Sequence, residues 1–236
     1  MSMREFKEKG NSPFQIVGSV FVSVLLYYVI HNVAVIAGLS VLELIQNKIS
    51  LNGISQSVLF YMETFIKLAG MAIGGLAVLP YYRKEKSFME QKSLSVKVGA
   101  GLIVVGGILS LWINFLFSAI GLTESSEQYQ QVAEAQFALP LWLAVWFYGI
   151  VSPVVEETVF RGIVYNALSR NMTKSLSIIG SALLFGAVHG NVVQLIYASI
   201  MGALMAWIYQ KYQNLWAPIL FHGAANIAVY FVTYFF

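Results

Sequence analysis

The chain has 236 residues, of which 58% are hydrophobic and only 11% are charged, and its formal net charge is +3. A soluble domain carries about 25% charged residues, so this composition excludes an ordinary globular domain. The sequence contains no cysteine and no aspartate, which excludes disulfides, thiol nucleophiles, cysteine-bound metals and catalytic groups built on aspartate. The basic residues form no stripe with interleaved aromatic residues, so nucleic-acid binding is not expected.

Seven apolar runs follow one another along the chain, with short connections between them. An apolar run of about 18 or more residues is long enough to cross a hydrocarbon core of about 30 Å as a helix. The sequence therefore predicts an all-α polytopic membrane helical bundle, with a single integral membrane domain over residues 1–236. The fourth predicted span is unusually long, and the fifth is short for a full crossing. The predicted spans cover residues 14–45, 54–79, 94–120, 139–168, 176–188, 192–209 and 215–236.

The basic residues predict the orientation, because lysine and arginine are concentrated in the cytoplasmic loops of membrane proteins. They cluster at residues 4–9, 83–97 and 170–174 and at Lys211, which all fall on one side if the amino terminus is inside. The external connections then hold only Lys48. We therefore expect an N-in, C-out protein of the cell membrane, and the short basic loops are typical of a bacterial one.

Two groups of charged residues fall inside predicted spans, where a charge at the bilayer centre costs about 2.5–3.5 kcal/mol on insertion scales. The first group is Glu63 and Lys67 in the second span. Residues four apart lie on one helix face, so these two are expected to form a structural ion pair. A gating or substrate-contact role is the alternative.

The second group is Glu156, Glu157 and Arg161 in the fourth span. Glu157 and Arg161 are four residues apart and are predicted to pair. Glu156 lies about 100° away around the helix, so its carboxylate is free for another face. Pro153 precedes Glu156 by three residues and is expected to loosen the helix hydrogen bonding there. We interpret one acid as structural and the other as available for chemistry.

Two histidines and one asparagine lie at similar depth in later spans. His189 follows Phe185 at the end of the fifth span, and His222 and Asn226 lie one turn apart in the seventh. At a rise of about 1.5 Å per residue, these residues and Glu156 lie about 16–22 Å from the cytoplasmic ends of their spans. Each polar residue alone is typical of helix packing, but their combination predicts a water-accessible pocket.

The chemistry that these side chains offer is hydrolysis. A carboxylate beside an imidazole can take a proton from water and make it a nucleophile. An imidazole N–H and an asparagine amide can hold the oxyanion of a tetrahedral intermediate. Together they supply the parts of a peptide-bond hydrolase that has no covalent nucleophile, and no cofactor is expected.

Three short motifs, in this order on separate spans, resemble those of the CAAX-protease and bacteriocin-processing family, also called the Abi family. The eukaryotic prenyl-protein endopeptidase belongs to the same family. The resemblance covers about residues 139–226. The motifs are Glu156-Glu157-x-x-x-Arg161, Phe185-x-x-x-His189 and His222-x-x-x-Asn226.

The resemblance implies a glutamic intramembrane endopeptidase whose partners are membrane-associated protein or peptide substrates in the lipid bilayer, cut near the cytoplasmic face. It implies that Glu156 and His189 activate the water, and that His222 and Asn226 form the oxyanion site. The remaining motif residues, Glu157, Arg161 and Phe185, would support them.

Three alternatives stay open at this point. Glu156, His189 and His222 could bind a catalytic zinc ion, since three protein ligands and one water are the usual pattern, and the protein would then be a membrane metallopeptidase. A non-enzymatic protein, such as a bacteriocin self-immunity factor, could use the pocket to bind a partner without cleaving it. Intramembrane Glu, His and Arg also serve as proton relays in transporters.

Overall fold

The computed structural model describes residues 13–49, 55–87 and 90–235. Within these ranges the chain forms 9 helices and no strand, so the predicted all-α class is confirmed. The helices are α1 (Pro13–Ile49), α2 (Gln56–Ala77), α3 (Leu79–Lys86), α4 (Val96–Ala119), α5 (Glu127–Phe137), α6 (Leu141–Ser169), α7 (Lys174–Ala187), α8 (Val192–Tyr212) and α9 (Trp216–Phe235).

In the described part of the chain, 6 helices are long and apolar enough to cross a membrane, namely α1, α2, α4, α6, α8 and α9. Helix α7 is apolar but has only 14 residues, as the short fifth run predicted. Helices α3 and α5 are short, lie in the connections and were not predicted from the sequence. Their starts carry local signals, since Pro80 lies in the first turn of α3 and the Ser126 hydroxyl caps α5.

The connections that carry most of the basic residues lie at one end of the bundle. Arg170, just after α6, pairs with Glu85 of α3 at 2.8 Å. Asn214, between α8 and α9, donates a hydrogen bond to the carbonyl of Lys92 at 2.6 Å. Helix α5 joins α4 to α6 at the opposite end. This arrangement is consistent with the predicted N-in, C-out orientation, although the basic residues 4–9 lie outside the described ranges.

Helix α6 changes its hydrogen-bonding pattern along its length. It has π-helical stretches at Val145–Val151 and Thr158–Tyr165, with an α-helical stretch at Ser152–Glu157 between them. Such turns are rare and are frequent at functional sites. At the first junction the amide of Ser152 donates to the carbonyl of Phe147, five residues earlier. The next residue, Pro153, has no N–H to donate. The irregular hydrogen bonding expected at Pro153 is therefore present, directly before the two glutamates.

The most enclosed part of the protein lies among α6, α8 and α9. Val159, Phe160 and Val164 of α6 are fully buried, as are Ala206 of α8 and Ala217 of α9. Helices α1 and α4 instead expose large apolar side chains on the outside of the bundle, where lipid would cover them. The helices that carry the three motifs are thus held in place by their neighbours in the protein.

Candidate active site

A cavity of about 570 Å³ lies between the helices and brings the candidate site residues together. Glu156, His189, His222 and Asn226 all line it, and so does Phe185. Side chains of α1, α2, α5 and α8 form much of the remaining wall. The expected pocket is therefore present, whereas the chemical role of each residue stays a prediction.

Glu156 is the acidic side chain that faces this cavity. Its Oε1 accepts a hydrogen bond from the Ser152 hydroxyl at 2.5 Å, and its Oε2 lies 3.8 Å from His222 Nε2. The side chain of Glu156 is 17% exposed, whereas Glu157 is fully buried. The two adjacent acids are thus separated into different environments, as the sequence indicated. Ser152 was not predicted as a site residue, although its position four residues before Glu156 places both on one helix face.

Glu157 receives two hydrogen bonds inside the protein. Its Oε1 accepts from Arg161 Nη1 at 2.9 Å and from His222 Nδ1 at 2.9 Å. The Glu157 carboxylate and the Arg161 guanidinium are both fully buried. The predicted i,i+4 pair is therefore present. Glu157 also contacts α9 through its hydrogen bond with His222, a contact that the spacing within α6 could not indicate.

Arg161 connects α6 to α7 and α8. Its Nη2 donates to the carbonyl of Gly202 at 3.0 Å, and its guanidinium carbon lies 4.6 Å from the centre of the Phe185 ring. That distance is within the range of a cation–π interaction. A Cβ at Gly202 would lie 3.1 Å from the Phe185 ring. Gly202 thus allows this close packing, a role that was not predicted from the sequence.

The hydrogen bond to Glu157 determines how His222 presents its second nitrogen. An ionised carboxylate only accepts, so we assign the proton of this bond to His222 Nδ1. Nε2 then faces Glu156 across 3.8 Å, which is too long for a direct hydrogen bond. A water beside both atoms would contact the carboxylate and the imidazole together. General base catalysis requires contact of this kind between the base and the proton it removes.

His189 has different neighbours from those expected. Its Nδ1 lies 2.7 Å from the carbonyl oxygen of Phe185, which can only accept, so Nδ1 donates. The Phe185 ring stands edge-on to His189 and to His222, with ring centres 4.9 Å and 5.8 Å away. Within the described ranges, no hydrogen bond or ion pair joins His189 to Glu156. The imidazole beside Glu156 is that of His222, because Glu157 holds it there.

Asn226 satisfies a carbonyl that α6 leaves unpaired. Its Nδ2 donates to the carbonyl of Tyr148 at 2.9 Å. In a regular α-helix that carbonyl would accept from residue 152, but the Ser152 amide donates to Phe147 instead. The π-helical partner would be residue 153, which is Pro153 and has no N–H. Asn226 therefore links α9 to α6, and in the described part of the chain its second amide hydrogen forms no hydrogen bond.

The expected ion pair between Glu63 and Lys67 is not present. Both residues are described, and no contact within 4.0 Å joins their charged groups in the described ranges. Lys67 lines the cavity, whereas Glu63 is not among the residues that line it. The spacing of four residues permits a pair on a helix but does not ensure one.

The cavity extends from Glu156 toward α5, where Tyr129, Val132 and Gln136 line it. Helix α5 lies at the end opposite to the basic connections, so under the N-in orientation this part of the cavity lies toward the external side, and cleavage near the cytoplasmic face stays a prediction. The physical reason for this position is the length of α7. His189 follows the end of this 14-residue helix. A depth of about 22 Å from the basic end of α7 is therefore already at the opposite end of the helix.

The zinc alternative requires three ligands to converge. In the part of the chain that the structure describes, no group of three His, Cys, Asp or Glu side chains lies close enough to hold a metal ion. The ligand set of Glu156, His189 and His222 is thus not assembled in this arrangement. Zinc dependence stays a prediction that a chelator experiment tests.

Comparisons with known proteins agree with the motifs. Residues 138–228 match the family model described as "Type II CAAX prenyl endopeptidase Rce1-like". The chain is 30% identical over 113 residues to the "Putative membrane peptidase YdiL" of Bacillus subtilis (strain 168), covering 48% of this chain and 46% of that protein. It is 27% identical over 90 residues to the "UPF0177 protein YxdF" of Lactococcus lactis subsp. lactis (strain IL1403), covering 38% of this chain and 49% of that protein.

The chain spans about half the length of these two curated relatives. No solved structure matches it. The family match includes all three motifs and every candidate catalytic residue. Over residues 138–228, the resemblance to the CAAX-protease and bacteriocin-processing family is therefore confirmed.

Proposed function

We propose that this protein is an intramembrane endopeptidase that hydrolyses peptide bonds of membrane-associated proteins or peptides with a water activated at Glu156. One observation carries the proposal. The Glu156 carboxylate and the His222 imidazole face each other across 3.8 Å at the wall of a cavity. His222 is held there by the buried pair of Glu157 and Arg161. The match to a CAAX endopeptidase family and the name of the Bacillus relative support a membrane protease.

In the proposed reaction, Glu156 takes a proton from water and the hydroxide attacks the carbonyl carbon of the scissile bond. The carbonyl oxygen becomes the oxyanion of a tetrahedral intermediate. Glu156 then returns the proton to the amide nitrogen, and the C–N bond breaks. The products are a carboxylic acid and an amine, so the step needs no cofactor and no redox partner.

The histidines and Asn226 position the water and bind the oxyanion. His222 positions the water, because its Nε2 is the imidazole nitrogen beside Glu156. Asn226 donates its free amide hydrogen to the oxyanion. His189 lines the cavity, and within the described ranges only its Nδ1 forms a hydrogen bond, so Nε2 is available. When protonated, His189 supplies a second oxyanion donor. This assignment exchanges the roles of His189 and His222 relative to those that the family resemblance implies.

The test is cleavage of a membrane-tethered peptide library by purified protein in detergent, with products identified by mass spectrometry. Glu156→Gln should lower kcat/KM by about 10²–10⁴, because general base catalysis contributes that much. Glu63→Gln is the matched control. It also removes an acid from a spanning helix, but that acid is not among the residues that line the cavity. His222→Ala should lose more activity than His189→Ala.

Three results would contradict the proposal. Cleavage by Glu156→Gln at the wild-type rate would remove the proposed base. Loss of cleavage with a chelator, restored by zinc, would indicate a metallopeptidase. The third result is a wild type that cleaves no peptide, while cells with Glu156→Gln keep the phenotype that the wild-type protein gives them. The protein would then act by binding, as a self-immunity factor would.

A further inference from the structure

One lysine lies deep within a spanning helix and has no acidic partner among the described residues. Lys67 lies near the middle of α2 (Gln56–Ala77), where a lysine facing lipid is strongly disfavoured. Its side chain is exposed, and in the described ranges it forms no hydrogen bond or ion pair. Glu63, one turn away, does not reach it. This cation therefore requires another explanation.

The position of Lys67 at the wall of the cavity explains this unpaired cation. Among the described residues that line the cavity, Lys67 is the single lysine or arginine and Glu156 is the single acid. His31 of α1 also lines the cavity, and its Nδ1 is enclosed without a hydrogen-bond partner among the described residues. Helices α1 and α2 thus bring a cation and an imidazole to the wall of the cavity that Glu156 faces.

We infer that Lys67, assisted by His31, binds a carboxylate of the substrate. This inference rests on the proposed peptidase function and specifies which substrates the site prefers. An ammonium group has three N–H donors, and hydrogen bonds between ionised groups are stronger than those between neutral groups. In a peptide, the anion is the side chain of Asp or Glu or the carboxyl-terminal carboxylate.

The structure also indicates how far this carboxylate lies from the scissile bond. A Cβ at Gly75 would lie 3.0 Å from a Val155 methyl carbon, so Gly75 of α2 is level with the residue before Glu156. Lys67 precedes Gly75 by eight residues, which places it about 12 Å nearer to the α5 end. An extended peptide advances about 3.3 Å per residue. The bound carboxylate is therefore about three or four residues from the bond that is cut.

The experiment compares peptides that differ only in one carboxylate. A peptide that the wild type cleaves is made with Glu or Gln at three or four residues on either side of the scissile bond. In a second set it carries a free or an amidated carboxyl terminus at the same distance. In one of these sets or positions, we expect the peptide with the carboxylate to be cleaved with a kcat/KM about tenfold above that of the matching peptide with the amide. The arm that responds identifies the source of the carboxylate.

Variants of the lysine test its assignment. Lys67→Gln should reduce the ratio of acid to amide cleavage to about one, and Lys67→Arg should keep a ratio above one because it keeps the charge. Glu63→Gln, one turn away and not among the cavity-lining residues, should leave the ratio at the wild-type value. The ratio is measured on folded protein with one enzyme preparation, so a general loss of activity does not imitate the result.

Two outcomes would overturn the inference. One is a wild-type ratio near one in every arm, and the other is a ratio that Lys67→Gln leaves unchanged. Both require that the wild type cleaves peptides, so they leave the proposed function standing. A wild type that cleaves no peptide in any arm would instead refute the proposed function itself.

Discussion

The first three spanning helices differ from the last three in how much of each lies inside the protein. In the most apolar stretch of each helix, 17% of α1 and 22% of α2 and α4 is buried, compared with 44% of α6 and α8 and 39% of α9. The family match covers the enclosed part. Buried charges need partners that are fixed in position. The buried network of Glu157, Arg161 and His222 therefore lies in the part of the protein where neighbouring helices can hold every partner. Helices α1 and α2 instead form the opposite wall of the cavity.

The adjacent glutamates provide the largest test of this comparison. Glu157→Gln should destabilise the protein by about 3–5 kcal/mol, because it leaves the buried Arg161 charge without its counter-ion. Glu156→Gln should change stability little, since that side chain faces the cavity. Unfolding of both variants in detergent, followed by circular dichroism, measures the difference. Equal stabilities would contradict the division between a structural and an available acid.

Two phenylalanines test the packing difference directly. Phe160 of α6 is fully buried, whereas Phe115 of α4 is 66% exposed on the outside of the bundle. Phe160→Ala should cost about 3 kcal/mol because it leaves a cavity among fixed neighbours. Phe115→Ala should cost less than about 0.5 kcal/mol, since lipid or detergent fills the space. The comparison fails if the two variants unfold at the same temperature.

Asn226→Ala should cost about 1–3 kcal/mol, because it leaves the Tyr148 carbonyl unsatisfied in the enclosed part. Pro153→Ala restores an N–H near that carbonyl. A double-mutant cycle of the two substitutions should therefore show a smaller cost of Asn226→Ala in the Pro153→Ala background. Strictly additive effects in thermal unfolding would show that the proline does not create the need for Asn226.

The smallest expected effect is at Glu85, which joins α3 to Arg170 beyond α6. Burial raises the pKa of Glu85, while the Arg170 charge acts to lower it. A raised pKa means that the carboxyl stabilises the fold fully below its unfolded pKa, about 4.3, and that this contribution is lost as pH rises through the folded pKa. The Tm of the wild type should therefore fall relative to Glu85→Gln between acid and neutral pH. A relative rise over that range would refute this sign.

The sequence predicts the helices and the contacts within a helix better than the contacts between helices. The pair of Glu157 and Arg161 follows from spacing alone, because both residues lie on α6. The choice of His222 rather than His189 as the neighbour of Glu156 depends on how α9 and α7 pack, which no period in the sequence encodes. Spacing within a helix is not sufficient either, since it permits a pair of Glu63 and Lys67 on α2 that is not present in the described ranges.

Other features lack a sequence signal of the kind that hydropathy provides. The two π-helical stretches of α6 have ordinary apolar composition, so only Pro153 pointed to irregular hydrogen bonding. Helices α3 and α5 are too short and polar to stand out from the connections. The extension of the cavity toward α5 was not predicted, because depth measured from one end of a helix does not show toward which end of the bundle a cavity extends.

The short helix α7 has a consequence for the membrane around the protein. Its 14 residues span about 21 Å, less than the hydrocarbon core of about 30 Å, and Leu176, Ile179 and Leu183 are exposed on its outer side. A helix shorter than the bilayer is accommodated by local thinning of the lipid. His189 lies beyond the end of α7, so thinning brings lipid headgroups and water closer to it. Turnover in vesicles should therefore rise as the acyl chains of the host lipid are shortened toward the length of α7.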